Sequence, residues 1–306
     1  MKQFFYIVFG GLAALGVSVG ITYGVLSVSK FVSPKMSPGT TDGTSISGVT
    51  RTVRYTASEE ENLISFATAS LPVVSSGVTA DTYVVKSLAD GDTPAYRDPD
   101  RIMPIASLSK LVTAIVARQK VNPSAHITIT RNIMATYGNT ASFKVGETFT
   151  ASDLYYPLLM VSSNDAAEAY AQFYGRKKFI QAMNDFAQSI GAYRTSFADP
   201  SGLSSSNVSS ANDLVMILKW IKENDPAIID ITKLKSKTVR AHTWTNPTHF
   251  LNWSNFAGGK NGYTPEADRT GAALFTMDHG KDLYAVIVLG SSARDADVIK
   301  LLGKVK

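Results

Sequence analysis

In the stretch PIASLSKLVTA, residues 104–114, two serines precede one lysine in an otherwise apolar run. Leu108, Leu111, Val112 and Ile115 recur at i, i+3, i+4 and i+7, the period of a helix with one buried face. Ser107 and Lys110, three apart, lie on neighbouring faces of one turn. Ser109 falls roughly 200° around the helix from Ser107, at about 100° per residue, and cannot share a pocket with both. A serine hydroxyl becomes a good nucleophile when a neighbouring base takes its proton, and an amine can do so only when neutral. Burial and a second cation both push a lysine toward that form. A serine in the first helical turn also offers its backbone N–H at the positive end of the helix, where an oxyanion is stabilised. Ser107 with Lys110 therefore reads as a nucleophile and its proton acceptor, against the plain alternative of an ordinary helix start. The spacing alone is weak. Ser-x-x-Lys is expected about once in a chain of this size, and it recurs here at Ser27–Lys30.

Composition narrows the chemistry. The 306 residues, 44% hydrophobic and 18% charged, suit a globular protein with an added apolar segment. The net charge of +5 comes without any Lys/Arg cluster, so nucleic acid is not an expected partner. Cysteine is absent, which excludes disulfides, thiol catalysis and Cys–zinc sites. His126, His242, His249 and His279 lack metal-ligand spacing, and no nucleotide-binding loop is present. No metal or cofactor is expected.

Around the serine–lysine pair the chain divides into three. Phe4 to Ser29 is uncharged for 26 residues, about 39 Å as a helix, enough to span a hydrocarbon core of roughly 30 Å. Residues 1–30 are therefore expected to be an uncleaved transmembrane anchor, with a cleaved signal peptide as the alternative. Residues 31–77, rich in Ser, Thr, Gly and Pro at their start, read as a flexible linker. The globular domain is expected at 78–306. A strand is predicted over 82–88, helices near 107–120, 151–171, 176–190 and 209–223, strands over 271–277 and 283–290, and an amphipathic stretch over 295–305. Strands at both ends with helices between predict one antiparallel sheet closed by distant segments.

Two more segments complete a pattern. LLMVSSNDAAEAYA carries Ser162-Ser163-Asn164 at a turn inside an apolar helical region, and GGKNGYT carries Lys260-Asn261-Gly262 just before the terminal hairpin. With Ser107-x-x-Lys110 ahead of them, the chain over about residues 78–306 resembles the serine D,D-peptidases of the low-molecular-mass penicillin-binding protein type. The segments FKVGETFTASDLYYPLLMVSSNDAAEAYA and FADPSGLSSSNVSSANDLVMI also look like that family's connecting text. The resemblance implies an α+β, β-lactamase/DD-peptidase-like fold, an antiparallel sheet flanked by helices with an inserted all-α subdomain. It implies that Ser107 is acylated, that Lys110 accepts its proton, and that Ser162 relays a proton to the leaving amine. Asn164 would hold the substrate backbone and position Lys110. Lys260 would add a second positive charge and attract a carboxylate. Gly262 belongs to the third motif, the N–H groups of Ser107 and Tyr263 would form an oxyanion hole, and Arg294 would bind the substrate's terminal carboxylate. Asn261 stands where the family usually has threonine, and Ser201-Gly202-Leu203 where it has His-Gly-Leu.

The expected activity is removal of the terminal D-Ala from peptidoglycan stem peptides, without metal or cofactor, with β-lactams as inhibitors. A D,D-endopeptidase would use the same site. A β-lactamase is disfavoured, because no Glu followed four residues later by Asn lies between Asn164 and Lys260. A non-catalytic wall-binding protein is disfavoured by the complete motif set. The substrate places the domain outside the cytoplasm. Lys30, Lys35, Arg51 and Arg54 beyond the apolar run argue the other way, but long domains translocate largely regardless of charge.

Overall fold

The computed structural model describes residues 17–22, 25–30, 77–277 and 282–305. It divides into two units, Met1–Leu71 and Pro72–Lys306. In the first, β1 (Val17–Thr22) pairs antiparallel with β2 (Val25–Lys30), Thr22 opposite Val25. This differs from the single spanning helix expected over Phe4–Ser29. Val17, Val19 and Ile21 alternate with Ser18, Gly20 and Thr22, a period of two rich in β-branched residues that suits a strand. Among the described residues no helix is long and apolar enough to cross a membrane. The rest of the apolar run, and the linker up to residue 76, lie outside the described residues.

The second unit opens with β3 (Thr82–Ser87) and β4 (Ala95–Arg97), joined through a turn at residues 88–90. A short β5 (Met103–Pro104) leads through a 3-10 turn, Ala106–Leu108, into helix α1 (Ser109–Lys120). Then come β6 (His126–Thr128), α2 (Arg131–Met134), β7 (Thr148–Thr150), α3 (Ala151–Met160), α4 (Asn164–Tyr174) and α5 (Arg176–Ser189). After β8 (Val208–Ser209) follow α6 (Ala211–Asn224), α7 (Ala227–Thr232), and the hairpin of β9 (Ser236–Val239) and β10 (His242–Thr245). The chain closes with β11 (Phe256–Thr264), β12 (Asp268–Met277), β13 (Asp282–Ser291) and α8 (Arg294–Leu302).

The main sheet has the order β11-β12-β13-β3-β4, antiparallel throughout, so the two ends of the domain do meet in one sheet. Its two faces are both covered, and β13 shows how. Ala285, Ile287 and Leu289 face the large helical core, while Tyr284, Val286 and Val288 join a second core with Val298 and Leu301 of α8. The fold is α+β, as expected.

Two departures bear on function. The stretch 151–171 is two helices, not one. Ser162 takes φ +58° between them, and Ser163 caps α4 by accepting from Ala166 N at 3.1 Å. Helix α1 is buried all round from Ser109 to Ala117 rather than on one face, because α3, α4, α5, α6 and α7 enclose it. Its polar residues therefore need internal partners. Ser109 donates to Ala106 O at 2.8 Å and accepts from Asn207 Nδ2 at 3.0 Å, which makes it a structural serine.

Candidate active site

Helix α1, the α3–α4 turn and the edge strand β11 converge on one place. Ser107 lies in the 3-10 turn just ahead of α1, and Lys110 is fully buried one turn on. The Lys110 amine sits 2.9 Å from Ser107 Oγ, 2.7 Å from Asn164 Oδ1 and 2.5 Å from the Ser201 carbonyl. Two of these three partners can only accept, whereas the hydroxyl can also donate. A neutral amine, with two hydrogens and a lone pair, satisfies all three, and its lone pair is then left for the Ser107 hydroxyl. Burial pushes Lys110 well below the usual lysine range, the charge of Lys260 adds to this, and Asp199 opposes it more weakly. The contacts suit either form, an ammonium donating to all three or a neutral amine accepting from the hydroxyl, and burial together with the Lys260 charge favours the neutral one.

Lys260, near the middle of β11, is buried and donates to the Asn261 carbonyl at 2.6 Å. Burial, with help from Arg294, lowers it to about 7. Arg294, at the start of α8, donates to Asp295 Oδ1 at 2.7 Å and lies against Gly271, where an added Cβ would be 3.0 Å from its Cδ. Gly271 pairs with Asn261 in the sheet, so the arginine stands one strand behind the third motif. Because β11 is the sheet edge, alternate N–H groups along it have no ladder partner. A Cβ on Gly262 would come within 2.8 Å of Ser107 N, so the strand runs directly past the nucleophile's amide. The Tyr263 side chain is exposed, beneath the Arg269 guanidinium at 5.8 Å.

Asn164 divides its amide: Oδ1 holds Lys110, while Nδ2 donates to the Tyr137 carbonyl at 2.7 Å. Ser162 Oγ is buried without a hydrogen-bond partner, a free hydroxyl at a strained backbone position. All three motifs thus meet, although Ser162 makes no direct bond to the amine.

Sequence reasoning singled out Ser201-Gly202-Leu203 as a departure from the family pattern but not what its loop does in the site. Asp199 accepts from Ser201 N at 2.6 Å, Ser201 Oγ at 2.7 Å, Gly202 N at 2.7 Å and Ser204 N at 2.7 Å. Burial pushes its carboxyl up, but these bonds outweigh that and hold it below its ordinary value. Asn207 braces the same loop, accepting from Ala198 N at 2.9 Å and donating to the Asp199 carbonyl at 2.8 Å. This network presents the Ser201 carbonyl to Lys110. Gly202, at φ +85°, passes so close that a Cβ would sit 1.9 Å from the Ala106 carbonyl oxygen. Ala106 itself takes φ +48°, unusual for a residue with a side chain, immediately before the nucleophile. The signal available was the segment ADPSGLSSSN, whose turn-forming residues mark a loop but not what it serves.

Residues 67–292 match the profile of the D-alanyl-D-alanine carboxypeptidase family, peptidase S11. The chain belongs to that family. As an S11 chain it is 33% identical, over 61% of its length, to the D-alanyl-D-alanine endopeptidase of Escherichia coli, and covers 59% of that relative. Its fold matches the crystal structure of a D-alanyl-D-alanine carboxypeptidase from Mycobacterium tuberculosis, with a TM-score of 0.68 and 27% identity, covering 76% of this chain and 93% of that one. It also matches penicillin-binding protein D2 from Listeria monocytogenes in its cefotaxime-bound form, with a TM-score of 0.66 and 26% identity, covering 74% of this chain and 97% of that one.

Proposed function

We propose that the protein is a serine D-alanyl-D-alanine carboxypeptidase acting on peptidoglycan stem peptides, inhibited by β-lactams that acylate the same serine. The observation that carries this reading is the Lys110 amine, buried and depressed, 2.9 Å from Ser107 Oγ in an S11 chain. Lys110 takes the hydroxyl proton as Ser107 Oγ attacks the penultimate D-Ala carbonyl. The oxyanion is met by N–H groups of Ser107 and of Tyr263 on the edge strand. Ser162 passes a proton to the departing D-Ala nitrogen, and water then hydrolyses the ester. Lys260 and Arg294 hold the terminal carboxylate, with Asn261 donating its amide where a hydroxyl is usual. The globular domain works outside the cytoplasm, attached to the membrane through residues 1–30. Support for the attachment is the uncharged run of 26 residues, and protease added to intact cells tests it: a protected domain contradicts the placement.

The endopeptidase reading keeps a specific support, the name of the E. coli relative. Incubation with diacetyl-Lys-D-Ala-D-Ala and, separately, with a cross-linked dimeric muropeptide distinguishes the two. Release of D-Ala from the tripeptide at the higher kcat/KM supports the carboxypeptidase; cleavage of the dimer alone replaces it with the endopeptidase.

Two expected results bear on substrate capture. A charge-assisted hydrogen bond is worth about 1.5–3 kcal/mol, so Arg294→Ala should lower kcat/KM for the tripeptide roughly ten- to a hundredfold, while Asn261→Thr is tolerated. Wild-type kinetics in Arg294→Ala beside an inactive Asn261→Thr would place the carboxylate elsewhere. The second concerns pH. Lys260 attracts the carboxylate only while protonated, and it titrates at about 7. Lys110 must be neutral, and its lowered value puts that condition below the usual lysine range. The profile of kcat/KM should therefore fall as pH climbs through about 7 and Lys260 loses its charge, while the rise that marks Lys110 losing its proton lies well below the usual lysine range. Lys260→Arg, which keeps its charge, should remove the fall. A fall that persists in Lys260→Arg assigns it to another group.

A further inference from the structure

Away from the catalytic cleft, a groove of about 630 Å³ opens among α1, α3, α6 and α7. Arg118, Tyr155, Tyr156, Trp220, Asn224 and Asp225 line it. The mechanism uses none of them. The ionic groups are already matched: Arg118 pairs with Asp225 and lies over the Tyr155 ring at 5.4 Å, and the neighbouring Asp230 pairs with Lys233 at 2.8 Å. Such a lining neither attracts an anion nor calls for a cation. Tyr156 and Trp220 are partly exposed rings; the Lys237 ammonium covers one face of Tyr156 at 4.5 Å, and Trp220 stands nearly perpendicular to Phe186 at 4.9 Å. Asn224 Nδ2 donates to the Trp220 carbonyl at 2.9 Å, which orients the amide and leaves its oxygen to accept from a ligand. An aromatic ring, Trp220, beside one fixed amide and neutralised charges suits a ligand with apolar C–H faces and many hydroxyls.

We infer that this groove binds a neutral saccharide, the glycan strand of the polymer whose peptide enters the catalytic cleft. The identity of that polymer rests on the activity proposed above. Helix α1 carries Lys110 near one end and Arg118 near the other, eight residues and about 12 Å apart along its axis.

Isothermal titration of the full chain with an N-acetylglucosamine tetramer, and with peptide-free glycan strands, tests the inference. Saturable binding is expected, weakened roughly tenfold by Trp220→Ala and about fivefold by Asn224→Ala. Asn224 is at the surface, so its variant keeps the test decisive if Trp220→Ala fails to fold. Both variants should hydrolyse soluble tripeptide at the wild-type rate yet release less D-Ala from intact sacculi. Absent saturable binding, or binding indifferent to both substitutions, overturns the site. Binding of free stem peptide in place of the glycan, with the same dependence on Trp220, overturns the saccharide assignment. A wild-type protein that binds glycan but hydrolyses no tripeptide refutes the proposed activity and leaves the groove standing.

Discussion

Lys110→Arg should slow acylation of Ser107 by penicillin at least about a thousandfold, while the protein stays folded. General-base catalysis contributes roughly 10²–10⁴, and arginine cannot give up its proton. The guanidinium would also have to fit a pocket built for an amine with partners at 2.9, 2.7 and 2.5 Å, so some further loss comes from geometry. Stopped-flow acylation with a chromogenic cephalosporin measures the rate, and circular dichroism checks the fold. Acylation within tenfold of wild type would show that another base takes the proton, with Ser162, whose hydroxyl is unpaired, as the candidate.

The second large effect is expected at Gly202. Its φ of +85° disfavours any side chain, and a Cβ would lie 1.9 Å from the Ala106 carbonyl oxygen and 3.0 Å from Ser107 N. Gly146 gives the control: φ is +93°, with nothing within 4 Å of the added atom. Alanine at 146 carries the left-handed strain alone, about 1–2 kcal/mol. Alanine at 202 adds a clash with backbone, so it should cost more than about 3 kcal/mol, a fall in Tm of roughly 6–12 °C. It should also displace Ala106 and Ser107, so acylation falls even in the fraction that folds. Thermal denaturation and penicillin labelling of both variants separate the two effects. Equal losses at 146 and 202 would mean that contact with the nucleophile's backbone does not matter.

What the sequence disclosed follows from which physics is local. Of the sheet strands, β3, β12 and β13 were legible from their apolar runs, while β4 and the edge strand β11 were not predicted; α5 was legible because its apolar face repeats at helical period. The break between α3 and α4 was legible only as a turn, since Ser162 at φ +58° is held by its surroundings rather than by its own preference. Full burial of α1 was not legible, because a helix cannot announce how many neighbours will enclose it. The Ser107–Lys110 pair was found by spacing and confirmed as a contact, and Asn164 joins it from 54 residues away. The role of the Asp199 loop was not legible for a different reason. Its contribution to the site is the Ser201 carbonyl, a backbone atom that every residue has, aimed by a carboxylate two residues before it. The expected helix over Phe4–Ser29 rested on hydropathy and length, neither of which weighs the alternation that pairs β1 with β2.

The central claim is that Ser107, activated by Lys110, forms an acyl-enzyme. Intact-protein mass spectrometry after incubation with benzylpenicillin, followed by peptide mapping, tests it most directly. One adduct of the mass of the whole antibiotic is predicted, on the peptide containing Ser107, and none on Ser107→Ala. An adduct that persists in Ser107→Ala, or a folded wild-type protein that takes up no penicillin, would contradict the account.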